Sequence, residues 1–597
     1  MSEHLQLRQK GQALEVIASL PTDISEIEVR LYSGRNRPIS KASDLSPRAR
    51  QSHVGPGAKD RHYRNKDVWF PVVDLVLEPG MEAVVVFEEP DPRQQGTAVV
   101  NGPFHPEIRP LARQIVLPID QLEFWENWIF VKDSASRLEQ FYLRQRFAVQ
   151  ETEFDHTYQL LSKQWDGEVC VGVVGKDGFT ELARASTQRP DLPPPEGLRG
   201  RGLEPERVLD SLKATVACIL RRQNECPWSG TFGGLYLFYD LDARLFRDPV
   251  WIWAYGPSIK VLLDAAKMPD VASGFGSERL REAAAGIGEA SLRLLVRDEE
   301  HPANGLVITR WDPGTQHSEG YEGFISPPDG LFLAGWAWIP LYEALADERY
   351  LEATETMARA TERLIHEYGK DIVPQDYLMN EGKWKGWIVN EAGFGMEGLA
   401  ELYRVTGDER YRRIGQQYID QLLVKFERDD GLWEKLWWPD TGDTTPCERV
   451  TRSLAWAMEG LLAAHRIVPD GRYLERSRRL AEHLVQTQLD SGCWSFIFNR
   501  PVEEVGISEK GTAAWSLLFY RLYRATGEER YLATARKALA WLIDNQYLGP
   551  DVDAYGSVPG SSPASGVVYR RYFRLSCTYT SGFFGLAALE ELKLAAG

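Results

Sequence analysis

Apolar residues change their spacing once along this chain. Up to residue 185 they come in short runs rich in Val, Ile, Phe and Tyr, such as 13–20, 26–32, 68–77, 82–87, 140–149 and 169–174, with Gly, Pro and Asp between them. That pattern predicts strands, and because no long helical segment interrupts it, an antiparallel β-sandwich over 1–185. Residues 186–205 carry Pro190, Pro193, Pro194 and Pro195 with Gly197, Gly200 and Gly202, the composition of a linker. From 206 to 597 the apolar positions recur at helical spacing. They predict twelve helices, near 206–223, 250–267, 278–296, 330–346, 348–368, 391–406, 409–427, 450–466, 472–489, 510–526, 528–546 and 578–593.

One phrase punctuates these helices. An apolar run closes in Thr-Gly-Asp-Glu-Arg-Tyr411, in Ala-Asp-Glu-Arg-Tyr350, in Thr-Gly-Glu-Glu-Arg-Tyr531 and, more loosely, in Pro-Asp-Gly-Arg-Tyr473. The tyrosines recur about every 60 residues, the length of one long helix pair. Connections after even-numbered helices are tight, apart from 269–276, and those after odd-numbered helices are long. The long loops therefore gather at one end of the assembly, where function sits on a rigid scaffold. Even helices are the more apolar and odd helices carry charge stripes. An inner ring and an outer ring follow, so 206–597 is expected to form an (α/α)6 toroid of six helical hairpins.

The long loops hold eight of the 19 tryptophans (Trp228, Trp311, Trp384, Trp387, Trp433, Trp437, Trp438 and Trp494). Flat rings on pyranose faces would account for that enrichment, and packing of loops on the barrel rim is the competing use. Asp430-Gly-Leu-Trp433 and Asp490-Ser-Gly-Cys-Trp494 repeat a turn followed by a ring over the mouth. Carboxylates crowd the same loops, and glycosidic cleavage requires two of them converging on one bond. The candidates include Asp329, Glu391, Glu319, Glu322 and Glu509, and spacing leaves open which pair converges. Several sit at helix starts, where capping is the ordinary role. The segment 310–324 is densest in chemistry, with Arg310, Trp311, His317, Glu319, Tyr321 and Glu322. Arg310, Trp311, His317 and Tyr321 are expected to touch substrate, together with Trp387, Trp433, Trp437, Trp438, Trp494 and Arg449. A His/Tyr/Arg group also serves proton abstraction from a uronate, which keeps a lyase or epimerase open.

Charge and motifs narrow the classes. A net charge of −17 argues against tracking nucleic-acid phosphates. No His-x-His, His-Glu-x-x-His, Walker loop or Gly-x-Ser-x-Gly elbow occurs, so no metal and no cofactor are expected. The first ten residues show no apolar segment after their charges, and no run is long enough to span a bilayer. The six cysteines, at 170, 218, 226, 447, 493 and 577, form no Cys-x-x-Cys. A reducing cytoplasm with free thiols is expected, and no membrane partner.

Pro328-Asp-Gly-Leu-Phe-Leu-Ala-Gly335 followed by Leu341-Tyr-Glu-Ala-Leu-Ala-Asp-Glu-Arg-Tyr350 resembles a hairpin of the six-hairpin glycosidase superfamily. The likeness is greatest to the unsaturated glucuronyl and rhamnogalacturonyl hydrolases, and covers roughly 206–597. It implies that an aspartate opening an inner helix acts on the substrate, and Asp329 matches that phrase. At the next hairpin this chain has Asn390-Glu391, which would make Glu391 the second acid. An N-terminal β domain departs from the pattern and resembles inverting hydrolases and phosphorylases. The expectation is a glycoside hydrolase of short, uronic-acid-containing oligosaccharides. Its alternatives are a lyase or epimerase, and a non-catalytic helical-repeat binding protein with an open solenoid.

Overall fold

In the computed structural model of this chain, the described residues are strand segments between 5 and 186, and residues 198–596 apart from 225–232, 242–244, 248–249, 312–322, 368–372, 380, 446–448, 550 and 561–574. Among the strand segments, Glu26–Ser33 lies antiparallel between Val72–Val76 and Gly167–Gly175. Gln145–Ala148 joins Val72–Val76 in parallel, which departs from an all-antiparallel expectation. Whether these sheets face one another as a sandwich lies outside the described residues.

The helical half follows its apolar pattern closely. The twelve long helices are α1 (Pro205–Arg222), α2 (Tyr255–Ala265), α3 (Ser277–Leu292), α4 (Pro327–Leu333, running on through Ala334–Trp338 and Ile339–Leu345), α5 (Glu348–Glu367) and α6 (Met396–Thr406). They continue with α7 (Glu409–Phe426), α8 (Thr451–Ile467), α9 (Arg472–Thr487), α10 (Glu509–Thr526), α11 (Glu529–Asp544) and α12 (Thr578–Ala596). A 3-10 turn, Asn390–Gly395, leads into α6. The connection expected at 269–276 contains a short helix of its own, Pro269–Phe275, opened by Pro269.

Each even helix packs on the next even helix, and α12 returns to α2. The inner ring is closed, which removes the open-solenoid alternative. Outside it, α3, α5, α7, α9 and α11 each pack on the preceding inner helix, and α1 packs on α12. Burial follows position. In α8 nearly every side chain is buried, whereas α9 buries Tyr473, Ser477, Leu480, Ala481 and Leu484, a single stripe.

The repeated phrase has a physical use in the closed ring. Its glycines, Gly407 and Gly527, end the inner helices in the left-handed conformation (φ 66° and 70°), and Ala346 adopts it at φ 54° without glycine's freedom. The tyrosines Tyr350, Tyr411, Tyr473 and Tyr531 are all buried at the starts of outer helices. The arginine before each one reaches the preceding outer helix: Arg349 to Glu289, Arg410 to Glu362, Arg472 to Asp420 and Arg530 to Glu482. Each exposed pair contributes little, about 0.2–1 kcal/mol, but together they fix the register of one hairpin against the next.

Glycines let the inner helices touch backbone to backbone. A Cβ on Gly398 would lie 2.2 Å from the Leu331 carbonyl oxygen, and one on Gly460 2.4 Å from that of Gly393. Gly398→Ala should therefore lower stability by about 3 kcal/mol through forced separation of α4 and α6. Urea unfolding followed by tryptophan fluorescence checks this, and an unchanged midpoint would show that the contact yields.

Among the described residues, Cys218, Cys493 and Cys577 are free and buried, and no helix is long and apolar enough to cross a membrane.

Candidate functional site

The inner helices all start at the end where the long loops gather, and those loops are knitted into small antiparallel sheets. Val250–Trp251, Ile308–Trp311, Gly323–Ile325, Tyr377–Leu378 and Lys383–Trp384 form one sheet of five strands. Ile388–Val389 pairs with Leu436–Trp438, which pairs with Asp443–Thr445. Phe238–Asp240 lies between Leu245–Arg247 and Leu575–Cys577. Backbone pairing between loops from different hairpins is what holds this rim over the barrel.

Beneath the rim, six aromatic rings from five inner helices and their lead-ins meet across the axis. Trp253, just ahead of α2, lies 5.8 Å from Trp456 of α8, 6.3 Å from Phe394 and 6.3 Å from Tyr579 of α12. Phe332 of α4 is 4.7 Å from Phe394, and Tyr579 is 4.7 Å from Phe583. Trp253 is half-buried, while Phe332, Phe394 and Phe583 are fully buried. The rings make a floor across the barrel with one indole open to the mouth.

Arg452, in the first turn of α8, braces that floor. Its guanidinium lies 4.9, 4.7 and 5.3 Å from the ring centres of Trp456, Tyr579 and Phe583, and Nη2 is 3.3 Å from Glu459. Burial pushes the Glu459 carboxyl up to about 7, against the pull of Arg452. Toward the tight-turn end, Glu397 sits 3.0 Å from Arg466 and 3.3 Å from Arg521. Burial opposes its charge, but the two guanidinium groups outweigh it and hold its carboxyl below the ordinary value.

Buried polar groups without partners recur at the inner-helix starts. Asn390 is 0% exposed, yet neither its side-chain oxygen nor its nitrogen has a hydrogen-bond partner. The same holds for the indole nitrogens of Trp253 and Trp456, the Tyr579 hydroxyl and Oε1 of Glu509. Such orphans are rare in folded proteins, and several of them at one end of the ring want polar ligands or water. Glu509 opens α10, with the Ser508 hydroxyl accepting from the Gly511 amide as cap. Burial pushes its carboxyl up to about 7, with Lys510 pulling the other way. A carboxyl with that affinity carries its proton near neutrality and can deliver it as a general acid.

The residues expected from sequence are distributed unevenly over this geometry. Glu509 stands among the orphaned groups. Asp329 is buried in the first turn of α4, and its charge, after burial, holds the Tyr418 hydroxyl of outer helix α7 well above the usual tyrosine range. Glu391 and Trp311 are described in their backbones alone, and Glu319, Glu322, His317 and Tyr321 lie outside the described residues. Trp387 and Trp438 are half-buried on the rim, rings 5.6 Å apart, with Lys385 Nζ 5.4 Å from Trp387. Lys385 forms a 2.8 Å pair with Asp376. Arg310 is buried with its guanidinium 5.1 Å from the Trp251 ring.

Three tryptophans expected on sugar are taken up by packing. Trp433 is fully buried and stacked on Phe426, and Trp494 is stacked on Phe519 with its indole nitrogen donating to the Leu484 carbonyl. Trp437 is buried beneath Lys425. Arg449 spends its donors on the Trp433 carbonyl and Glu434. The turns that precede Trp433 and Trp494 tuck them under the outer helices, where apolar burial outweighs exposure at the mouth.

No family model matches this sequence, and neither does any curated protein. Solved structures do show a likeness, and it includes an unsaturated glucuronyl hydrolase. That enzyme, from Bacillus sp. GL1 and responsible for glycosaminoglycan degradation, shares 16% identity over 64% of this chain and 95% of its own, with a TM-score of 0.49. A D-mannose isomerase matches at 14% identity over 66% of this chain and 100% of its own, with a TM-score of 0.46. A cellobiose 2-epimerase from Bacillus thermoamylovorans matches at 14% over 60% and 92%, with a TM-score of 0.44. The family that the Asp-Gly-Leu and Asp-Glu-Arg-Tyr phrases resemble is thus among the structures similar to this chain.

Sequence reasoning missed Asn390, Trp253, Trp456 and Tyr579, and took Arg452 only as one of several loop-end cations for a sugar carboxylate. Asn390 stood beside the chosen Glu391, and a neutral amide drew less attention than a carboxylate. Trp253 and Trp456 sit at or inside helix starts, so a search confined to loops passed over them. Their one available signal was position at the opening of an apolar helix.

Proposed function

We propose that this chain is a glycoside hydrolase acting on short, uronic-acid-containing oligosaccharides, with its catalytic part in 206–597 after the linker at 186–205. The observation that carries the reading is the set of partnerless buried polar groups at the inner-helix starts, among them Glu509, whose carboxyl burial pushes up to about 7. A sugar ring laid on Trp253 would offer hydroxyls to Asn390, Tyr579 and the indole nitrogens. Trp387 and Trp438 supply a further stacking platform on the rim, and Arg310 and Lys385 supply positive charge for a uronate.

In the mechanism, Glu509 gives its proton to the glycosidic oxygen as the bond to the anomeric carbon breaks. A water molecule adds to that carbon, and a carboxylate accepts the proton the water releases. Glu391, next to Asn390 at the opening of the α6 lead-in, is assigned that second role. Asp329 is assigned to holding Tyr418 and the α4 start.

The test is a panel of uronate-bearing and neutral oligosaccharides, read for reducing ends and for ultraviolet absorbance together. New reducing ends without a new C=C chromophore are expected on the uronate-bearing members. A chromophore appearing with cleavage would make the chain a lyase instead. Silence on the whole panel would remove the hydrolase reading.

A further inference from the structure

We propose a second, anion-binding site centred on Arg222, on the reverse of the strand layer that backs Glu509. Arg222 is the last residue of α1 and is 0% exposed. Its Nη2 donates to the Ser576 hydroxyl at 2.5 Å. Its guanidinium lies 5.0 Å from the ring centre of Tyr239 and 5.4 Å from that of Phe246. Nε and Nη1 have no hydrogen-bond partner, and no carboxylate among the described residues pairs with this cation.

Strand register separates this group from the mouth. Phe238 pairs with Cys577 and Tyr239 pairs with Ser576. Neighbouring residues on a strand point to opposite faces. Lys510 Nζ lies 4.6 Å from the Phe238 ring, and the Cys577 thiol, pushed up by burial, also senses Lys510 and Glu509. Tyr239 and Ser576 therefore face away from the Glu509 side, and Arg222 lies against them.

A lone charge buried this completely is costly unless something neutralises it. The carbonyl end of α1 and the two ring faces offset part of that cost, but neither accepts a hydrogen bond from Nε or Nη1. A small oxyanion does both. Two oxygens of a carboxylate or phosphate match the donors along one guanidinium edge, Nε or Nη1 together with the second hydrogen of Nη2. The Ser576 hydroxyl accepts from Nη2 and so keeps its own proton to give to the same anion. The Tyr239 hydroxyl is already committed to Asp551 at 2.8 Å, which leaves its ring as the wall of the site. The ligand class is a small carboxylate or phosphate, and the site stands whether or not the mouth cleaves sugars.

The experiment uses the full chain. Thermal unfolding is followed with sodium glucuronate, sodium phosphate, neutral glucose and sodium chloride, all at matched ionic strength. At saturating anion the midpoint should rise by on the order of 2 °C with glucuronate or phosphate and not with glucose or chloride. Whichever anion acts identifies the source. Arg222→Met should keep or raise the midpoint without anion, because it removes an uncompensated charge, and should lose the response. Ser576→Ala, which leaves the cation in place, should weaken anion affinity by about tenfold. Equal responses of wild type and Arg222→Met, or no anion exceeding chloride, would overturn the site.

Discussion

Glu509→Gln should lower kcat on the true substrate by about a thousandfold or more while the protein stays folded. The amide keeps the shape of the acid but has no proton to deliver to a leaving oxygen, and general acid catalysis is worth about 10² to 10⁴ in rate. Stability supplies an independent readout. Burial pushes the Glu509 carboxyl up to about 7, above the value it has in an unfolded chain. The folded state then holds more protons than the unfolded state between those two values. The contribution is full below about pH 4 and is lost as pH rises through 7. Across that window it amounts to about 4 kcal/mol, at about 1.4 kcal/mol per unit. Glu509→Gln should therefore be more stable than the wild type at pH 8 and should flatten the pH dependence. A variant that is inactive but equally pH-dependent would place the titrating group elsewhere, and an active one would remove Glu509 from the mechanism.

The second large effect concerns the floor. Arg452→Ala should cost about 3–5 kcal/mol, because it leaves the buried Glu459 without its partner and opens a cavity under Trp456, Tyr579 and Phe583. The loss should grow with pH. Glu459 already has its carboxyl pushed up to about 7, and without Arg452 ionisation becomes dearer still, so stability falls further as pH rises toward 8. Arg452→Met with Glu459→Leu, which removes both charges, should recover much of the loss. Urea unfolding of Arg452→Met, Glu459→Leu and the double variant, beside Arg452→Ala, measures this. Additive effects would show that the pair is not coupled.

The fold was largely legible because its signal is periodic. Outer helices such as α9 bury one stripe, inner helices such as α8 bury every face, and the Glu-Arg-Tyr phrase marks each return. Each of these acts within about 60 residues of sequence, which is the range over which pattern reasoning works. The closure of α12 on α2 was implied by alternating loop lengths rather than by any residue. The site was less legible, because it is assembled from inner-helix starts that are far apart in sequence. Glu509 was named among the acids, but nothing in its neighbours Ser508 and Lys510 announces that it is buried and proton-bearing. The loop tryptophans misled for a related reason. Trp433 and Trp494 follow turns that place them under outer helices, whereas Trp387 precedes the strand Ile388–Val389 and Trp438 ends its partner strand, half-open on the rim. Turn chemistry predicts that the chain reverses there, and not which side of it meets water.

The most direct measurement is a crystal structure of the Glu509→Gln protein with a bound oligosaccharide. The account predicts a sugar ring stacked on Trp253, its hydroxyls within hydrogen-bond reach of Asn390 and Tyr579, and the amide introduced at position 509 beside the bridging oxygen. An oligosaccharide ordered on another face of the ring, with Asn390 and Trp253 untouched, would contradict it.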